Sequence, residues 1–137
     1  MITIRELVVQ YAISCALGCS DCGESLDKPC LGCSHEHTPS YLTNDAIVSV
    51  VSSLLSHGLE QLTIGGADPL TRADKLIGLA KKMREVAPKV LLCIRTNGSM
   101  ILDCPKLQEA WPNNAVLELL PVGESHRFQD RLLRSAV

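Results

Sequence analysis

Apolar and polar positions divide the chain into two kinds of block. Apolar runs at Ile4 to Ile13, Gln61 to Ile64, Lys89 to Arg95 and Ala115 to Leu120 read as strands. Between them the apolar residues fall at helical spacing. Thr43-Asn44-Asp45 offers a cap and an acidic first turn, and Ile47, Val50, Val51 and Leu54 then follow at i, i+3, i+4 and i+7, with Gly58 closing the element. A second helix is expected to open on Thr71 and Asp74 in a Thr-x-x-Asp capping pattern, to bury Leu76, Leu79, Ala80 and Met83, and to stop at Pro88. A shorter third helix is expected from Asp103 to Trp111, closed by Pro112.

The resulting order, β-loop-α-β-α-β-α-β, predicts an α/β domain with about four parallel strands and helices packed against them. Strands after the first start roughly 25–30 residues apart, as βα units require. With 137 residues, the sequence is read as a single domain, 1–137, too short for a complete eight-unit barrel. Residues 14–42 show neither helical nor strand periodicity, and a segment of that length inside a compact domain points to function. No run approaches the length of a membrane span, and the first residues do not form a secretory signal. A cytoplasmic, non-membrane protein is therefore expected. The net charge of −2 and the scarcity of aromatic rings argue against a nucleic-acid groove.

Cysteine changes this picture most. In a reducing compartment the seven Cys stay as thiols, and five of them lie between Cys15 and Cys33. Cys93, inside the apolar run Val90-Leu91-Leu92-Cys93-Ile94, is expected to be a buried strand residue. Cys15-Ala-Leu-Gly-Cys19-Ser-Asp-Cys22 has the spacing C-x3-C-x2-C. Three thiolates on one tight loop hold three corners of a [4Fe–4S] cluster and leave the fourth iron open to a small ligand. Two further unusual sequences follow the next two strands. Gly65-Gly66-Ala67-Asp68-Pro69-Leu70 pairs glycines, which let a ligand approach the backbone closely, with a carboxylate suited to an ammonium group. Arg95-Thr96-Asn97-Gly98 ends the third strand with a turn signal. Ligands of parallel α/β folds gather at such strand ends.

The three elements together resemble the signatures of the radical S-adenosylmethionine (radical SAM) superfamily: the cysteine spacing after strand one, the Gly-Gly-acidic-Pro-Leu element after strand two, and a Thr-Asn-Gly after a later strand. The resemblance spans roughly residues 4–130. It implies a partial (βα) radical SAM barrel. It also implies a [4Fe–4S] cluster whose open iron chelates S-adenosyl-L-methionine, and reductive cleavage of that cofactor to methionine and a 5′-deoxyadenosyl radical. Cys15, Cys19 and Cys22 would hold the cluster. Gly65, Gly66, Asp68, Arg95, Thr96, Asn97 and Gly98 would line the cofactor site, and no catalytic residue is assigned. Ala67, inserted before Asp68, departs from the family pattern, so either the Asp68 carboxylate or the backbone alone meets the methionine ammonium. A side chain at Gly66 is expected to block the ligand. Arg95 is a candidate partner for a carboxylate of cofactor or substrate, or else a solvated strand end.

Cys30-Leu-Gly-Cys33, followed by Ser-His-Glu-His-Thr, resembles a segment of the activases of anaerobic ribonucleotide reductase. The tail Val122 to Phe128, with His126, resembles a His-containing segment of the same enzymes. That likeness implies a glycyl radical enzyme as protein substrate and a flavodoxin or ferredoxin as reductant. About four βα units leave a cleft open on one side, which a loop of a partner protein would cover. The alternative triplet Cys15, Cys30 and Cys33 resembles the expanded spacing of some 7-carboxy-7-deazaguanine synthases, which act on a small pterin-like molecule. The shorter loop is favoured because it orders fewer residues. A third reading is a non-enzymatic zinc module on Cys19, Cys22, Cys30 and Cys33. It leaves the two glycine-containing elements without a role. His35 and His37 are further possible ligands or solvated loop residues. Both iron triplets contain Cys15, so Cys15→Ala is expected to abolish iron binding after anaerobic reconstitution. Comparing Cys19→Ala/Cys22→Ala with Cys30→Ala/Cys33→Ala by iron content then identifies the remaining ligands.

Overall fold

The computed structural model describes residues 2–12, 42–66, 68–98, 100–101 and 115–119. Four strands form one sheet: β1 (Glu6–Ala12), β2 (Gln61–Gly66), β3 (Leu91–Thr96) and β4 (Ala115–Leu119). Their spatial order is β1-β2-β3-β4, and every pair is parallel. Two helices connect them, α1 (Asn44–Leu55) before β2 and α2 (Ala73–Val86) before β3, the latter preceded by a 3-10 turn at Pro69–Arg72. The expected α/β class and four-stranded parallel sheet are present. The third helix expected at 103–111 and the cysteine segment 14–42 fall outside the described residues, apart from Leu42.

Side chains alternate across a strand, and the two faces of this sheet differ in kind. Val9 and Tyr11 of β1, Leu62 and Ile64 of β2, Leu92 and Ile94 of β3 and Ala115 of β4 join Ile47 and Val51 of α1 and Leu76, Leu79, Ala80 and Met83 of α2 in one apolar core. Both helices thus cover the same face. Consecutive strand order without a reversal accounts for this, because crossovers of one hand return to one side. On the other face stand Glu6, Val8 and Gln10, then Gln61, Thr63 and Gly65, then Leu91, Cys93 and Arg95, then Val116 and Glu118. That face is polar at its centre.

The helix boundaries follow local chemistry. Thr43 caps α1, its Oγ1 accepting the Ala46 N–H at 3.1 Å. Val50 is exposed, so the buried stripe of α1 is narrower than the sequence pattern predicts. The N-cap of α2 is Arg72, one residue beyond the Thr71 of the expected capping pattern. Arg72 precedes α2 without a side-chain cap, and the Thr71 hydroxyl donates to the Asp68 carbonyl at 2.7 Å. Pro69 starts the 3-10 turn, where its missing N–H costs nothing and its fixed φ fits. Asp68 caps this turn, its side chain accepting the Leu70 N–H. The two helices are joined by an ion pair between Lys82 and Asp45 and by Asn44 Nδ2, which donates to the Lys75 carbonyl at 2.8 Å.

The contrast between faces has a measurable consequence. Leu62 is wholly buried on the helix side, and Leu62→Ala should destabilise the protein by about 2–5 kcal/mol through lost burial and a residual cavity. Val8, on the other face, is 57% exposed, and Val8→Ala should change stability by no more than about 0.5 kcal/mol. Urea unfolding of the two variants checks both.

Candidate functional site

Parallel pairing places the C-terminal ends of β1, β2 and β3 side by side. At this rim β1 carries an irregularity: Gln10 pairs with Gly65 and Ala12 with Gly66, so Tyr11 is an extra residue on its strand. A bulge of this kind bends the strand where pairing stops. Tyr11 is held on three sides. Its hydroxyl donates to Asn44 Oδ1 at 3.1 Å, the Arg72 guanidinium lies 4.6 Å from its ring centroid, and Arg72 Nη1 donates to its carbonyl at 2.9 Å. Burial raises the Tyr11 phenol above its ordinary pKa, with the Arg72 charge opposing. Tyr11 and Asn44 flank the stretch that carries the five clustered cysteines. Their hydrogen bond ties together the points where the chain enters and leaves it.

β2 ends in Gly65 and Gly66, which behave differently. Gly66 has φ +111°, a conformation that side chains with a Cβ rarely adopt. Gly65 has ordinary backbone geometry and stands on the helix-free face, where an added Cβ would meet no atom within 4 Å. A substitution at Gly66 therefore strains the backbone before it tests any ligand contact. Gly65 is the position where a side chain would occupy free space above the strand.

Asp68 is fully buried. Its Oδ1 accepts the Leu70 N–H at 3.1 Å and the Thr96 hydroxyl at 2.8 Å. The first contact is an Asx turn, which an Asp before Pro favours. The second spans from β2 to β3. Thr96 Oγ1 in turn accepts the Gly98 N–H at 3.0 Å, and Gly98 has φ +85°. Asn97 is buried beside them. Asp68, Thr96 and Gly98 are thus joined by hydrogen bonds, at the ends of the neighbouring strands β2, which closes on Gly65 and Gly66, and β3.

Arg95 points away from this group. Its Nε donates to Glu118 Oε2 at 2.7 Å, so its observed partner is a carboxylate of β4. Cys93 is buried, 6% exposed, but belongs to the polar face and not to the apolar core, with Sγ 3.5 Å from the same Glu118 oxygen. Burial raises the Cys93 thiol pKa, and the hydrogen bond to Glu118 raises it further. Arg95 holds the Glu118 carboxyl below its ordinary range. On β1 and β2, Thr63 is buried on this face and donates to Glu6 Oε1 at 2.5 Å, while Gln61 Nε2 donates to Thr63 Oγ1 at 2.8 Å. Sequence reading missed both this polar layer and the Tyr11–Arg72–Asn44 network. The polar residues Glu6 and Gln10, an even number of positions apart within the first strand, were the available signal for the former.

Cys15, Cys19, Cys22, Cys30, Cys33, His35, His37 and His126 lie outside the described residues. Among the described residues no three His, Cys, Asp or Glu side chains are grouped to hold a metal ion, and no helix is long and apolar enough to cross a membrane. A cavity of about 320 Å³ lies between β1 and α1, lined by Val8, Leu42, Ala46 and Val50. Its apolar walls do not suit a charged cofactor. No family model and no curated protein matches the chain.

The two glycines should separate on substitution. Gly66→Ala should cost about 1–3 kcal/mol of stability because of its positive φ. Gly65→Ala should stay within about 0.5 kcal/mol of the unsubstituted protein. Urea unfolding of both variants is the check.

Proposed function

We propose that the chain is a radical SAM enzyme that installs a glycyl radical on a partner protein such as an anaerobic ribonucleotide reductase. The observation that carries this reading is positional. The stem of the cysteine segment, the Gly65-Gly66-Asp68 element and the Thr96-Asn97-Gly98 element emerge from three adjacent parallel strands at one end of the sheet. The three resemblances are dispersed in sequence and converge in space. The consecutive strand order, with both helices on one face, is also the order of a barrel wall.

The free space over Gly65 fits a ligand lying against the backbone of β2. In this reading Cys15, Cys19 and Cys22, or alternatively Cys15, Cys30 and Cys33, hold a [4Fe–4S] cluster, and the rim backbone receives the methionine end of S-adenosyl-L-methionine. The chemistry that this pair of cofactors supplies is one-electron cleavage of the sulfonium, the electron coming from a flavodoxin or ferredoxin. The chain's own contribution is to place and shield. Tyr11, Arg72 and Asn44 fix the stem of the cysteine segment beside the glycine rim. The helix-free face, with Val8 and Val116 exposed, is open to a large substrate. A protein loop inserted there would bring its target hydrogen and exclude water together, as radical chemistry requires.

Anaerobic reconstitution should give about four irons per chain, the content of one cubane cluster. Reduction in the presence of S-adenosyl-L-methionine should yield 5′-deoxyadenosine, and a glycyl radical should be visible by electron paramagnetic resonance when the reductase is added. Gly65→Ala, folded as the unsubstituted chain, should bind S-adenosyl-L-methionine more weakly. A tightly held zinc with no 5′-deoxyadenosine would replace this reading with the metal-stapled module. Turnover of a pterin-like molecule with no radical on the reductase would replace the protein substrate with a metabolite.

A further inference from the structure

We infer that Asp68 is a positioning residue, whose carboxylate locks the two glycine-containing rim segments together and leaves contact with the bound ligand to the backbone. The inference rests on the proposed cofactor site and concerns how that site is held. A carboxylate that recognises an ammonium group must present oxygen to the ligand. Asp68 is 0% exposed, and its Oδ1 already accepts two hydrogen bonds, from the Leu70 N–H and the Thr96 hydroxyl. Burying a carboxylate is costly unless donors surround it. The donors found here come from the turn after β2 and from the end of β3.

The chain of contacts continues beyond the carboxylate. Thr96 passes the constraint on, because its hydroxyl donates to Asp68 and accepts from the Gly98 N–H. One buried oxygen thus fixes the path of residues 68–70 after Gly66 and, through Thr96, the turn at Gly98. Those are the two rim segments whose glycines stand at φ +111° and +85°. Asp68, one position further along the sequence than the acidic residue of the family pattern, caps the 3-10 turn. The departure from the family pattern and the buried clamp are then one feature.

The test uses four variants of the full chain: Asp68→Asn, Asp68→Ala, Thr96→Ser and Thr96→Val. Two quantities are measured on each. Amide hydrogen exchange at Leu70 and Gly98 without ligand reports the clamp. Equilibrium binding of S-adenosyl-L-methionine to the reconstituted protein reports the site. Thr96→Val removes the shared hydroxyl at nearly constant shape, and should lose protection at Gly98 and weaken binding about tenfold or more, as loss of a buried hydrogen bond predicts. Thr96→Ser should restore both. Binding should follow protection across the series, Asp68→Ala being lowest in both. Asp68→Asn with protection intact but binding lost would overturn the inference, because the carboxylate would then act on the ligand directly. Thr96→Val with protection lost and binding unchanged would overturn it as well. If the unsubstituted reconstituted chain binds no S-adenosyl-L-methionine, the cofactor reading itself fails. Exchange at Gly98 in Thr96→Val then decides the clamp alone, with unchanged protection overturning it.

Discussion

Parallel pairing is the constraint on which the structure depends. A strand that runs parallel to its predecessor is reached only by crossing back over the sheet, so each connection is long and leaves from the same end. Four strands in consecutive order bring both described crossover helices to one face, where Leu62, Ile64, Leu92 and Ile94 meet Ile47, Val51, Leu76 and Leu79. The other face is then released from the core and carries Thr63, Cys93, Arg95 and Glu118. Every segment that follows a strand begins on the same rim. The position of the candidate site is therefore a product of strand direction, before any of its residues is considered.

The rim is held by polar contacts, and this follows from what surrounds it. Strand ends leave backbone groups without ladder partners, and burial without partners is unfavourable. Side chains at two places supply them. Arg72 satisfies the Tyr11 carbonyl while stacking on its ring, and Asp68 satisfies the Leu70 N–H while taking the Thr96 hydroxyl. The Arg95–Glu118 pair sits partly in solvent, where screening leaves an ion pair little part in stability. Its part is to orient side chains on the polar face, since it also brings the Cys93 thiol against a carboxylate.

The strands and the buried stripe of α2 were legible in the sequence because both rest on periodicity, and Leu76, Leu79, Ala80 and Met83 are all buried as their spacing predicts. The neighbourhood of the rim elements was legible from strand direction alone. Less legible were roles that depend on which of several local hydrogen bonds forms. Thr71 and Asp68 both suit a helix start, and the N-cap positions observed are Asp68 and Arg72. Arg95 finds Glu118 on a strand that starts twenty positions later, a pairing no local pattern encodes. Cys93 is buried as expected but on the opposite face from the core, because a continuous apolar run hides which side each residue takes.

The bond between Tyr11 and Asn44 bears on how freely this chain can change. It closes the segment 13–41 into a loop whose ends are pinned by the scaffold itself. For a closed loop the entropy of closure grows only with the logarithm of length, so doubling the segment would cost about 0.6 kcal/mol. Insertions and deletions between its cysteines are thus nearly neutral for the fold. Under the proposed function, the cluster and not the sheet would then set the spacing of the thiols.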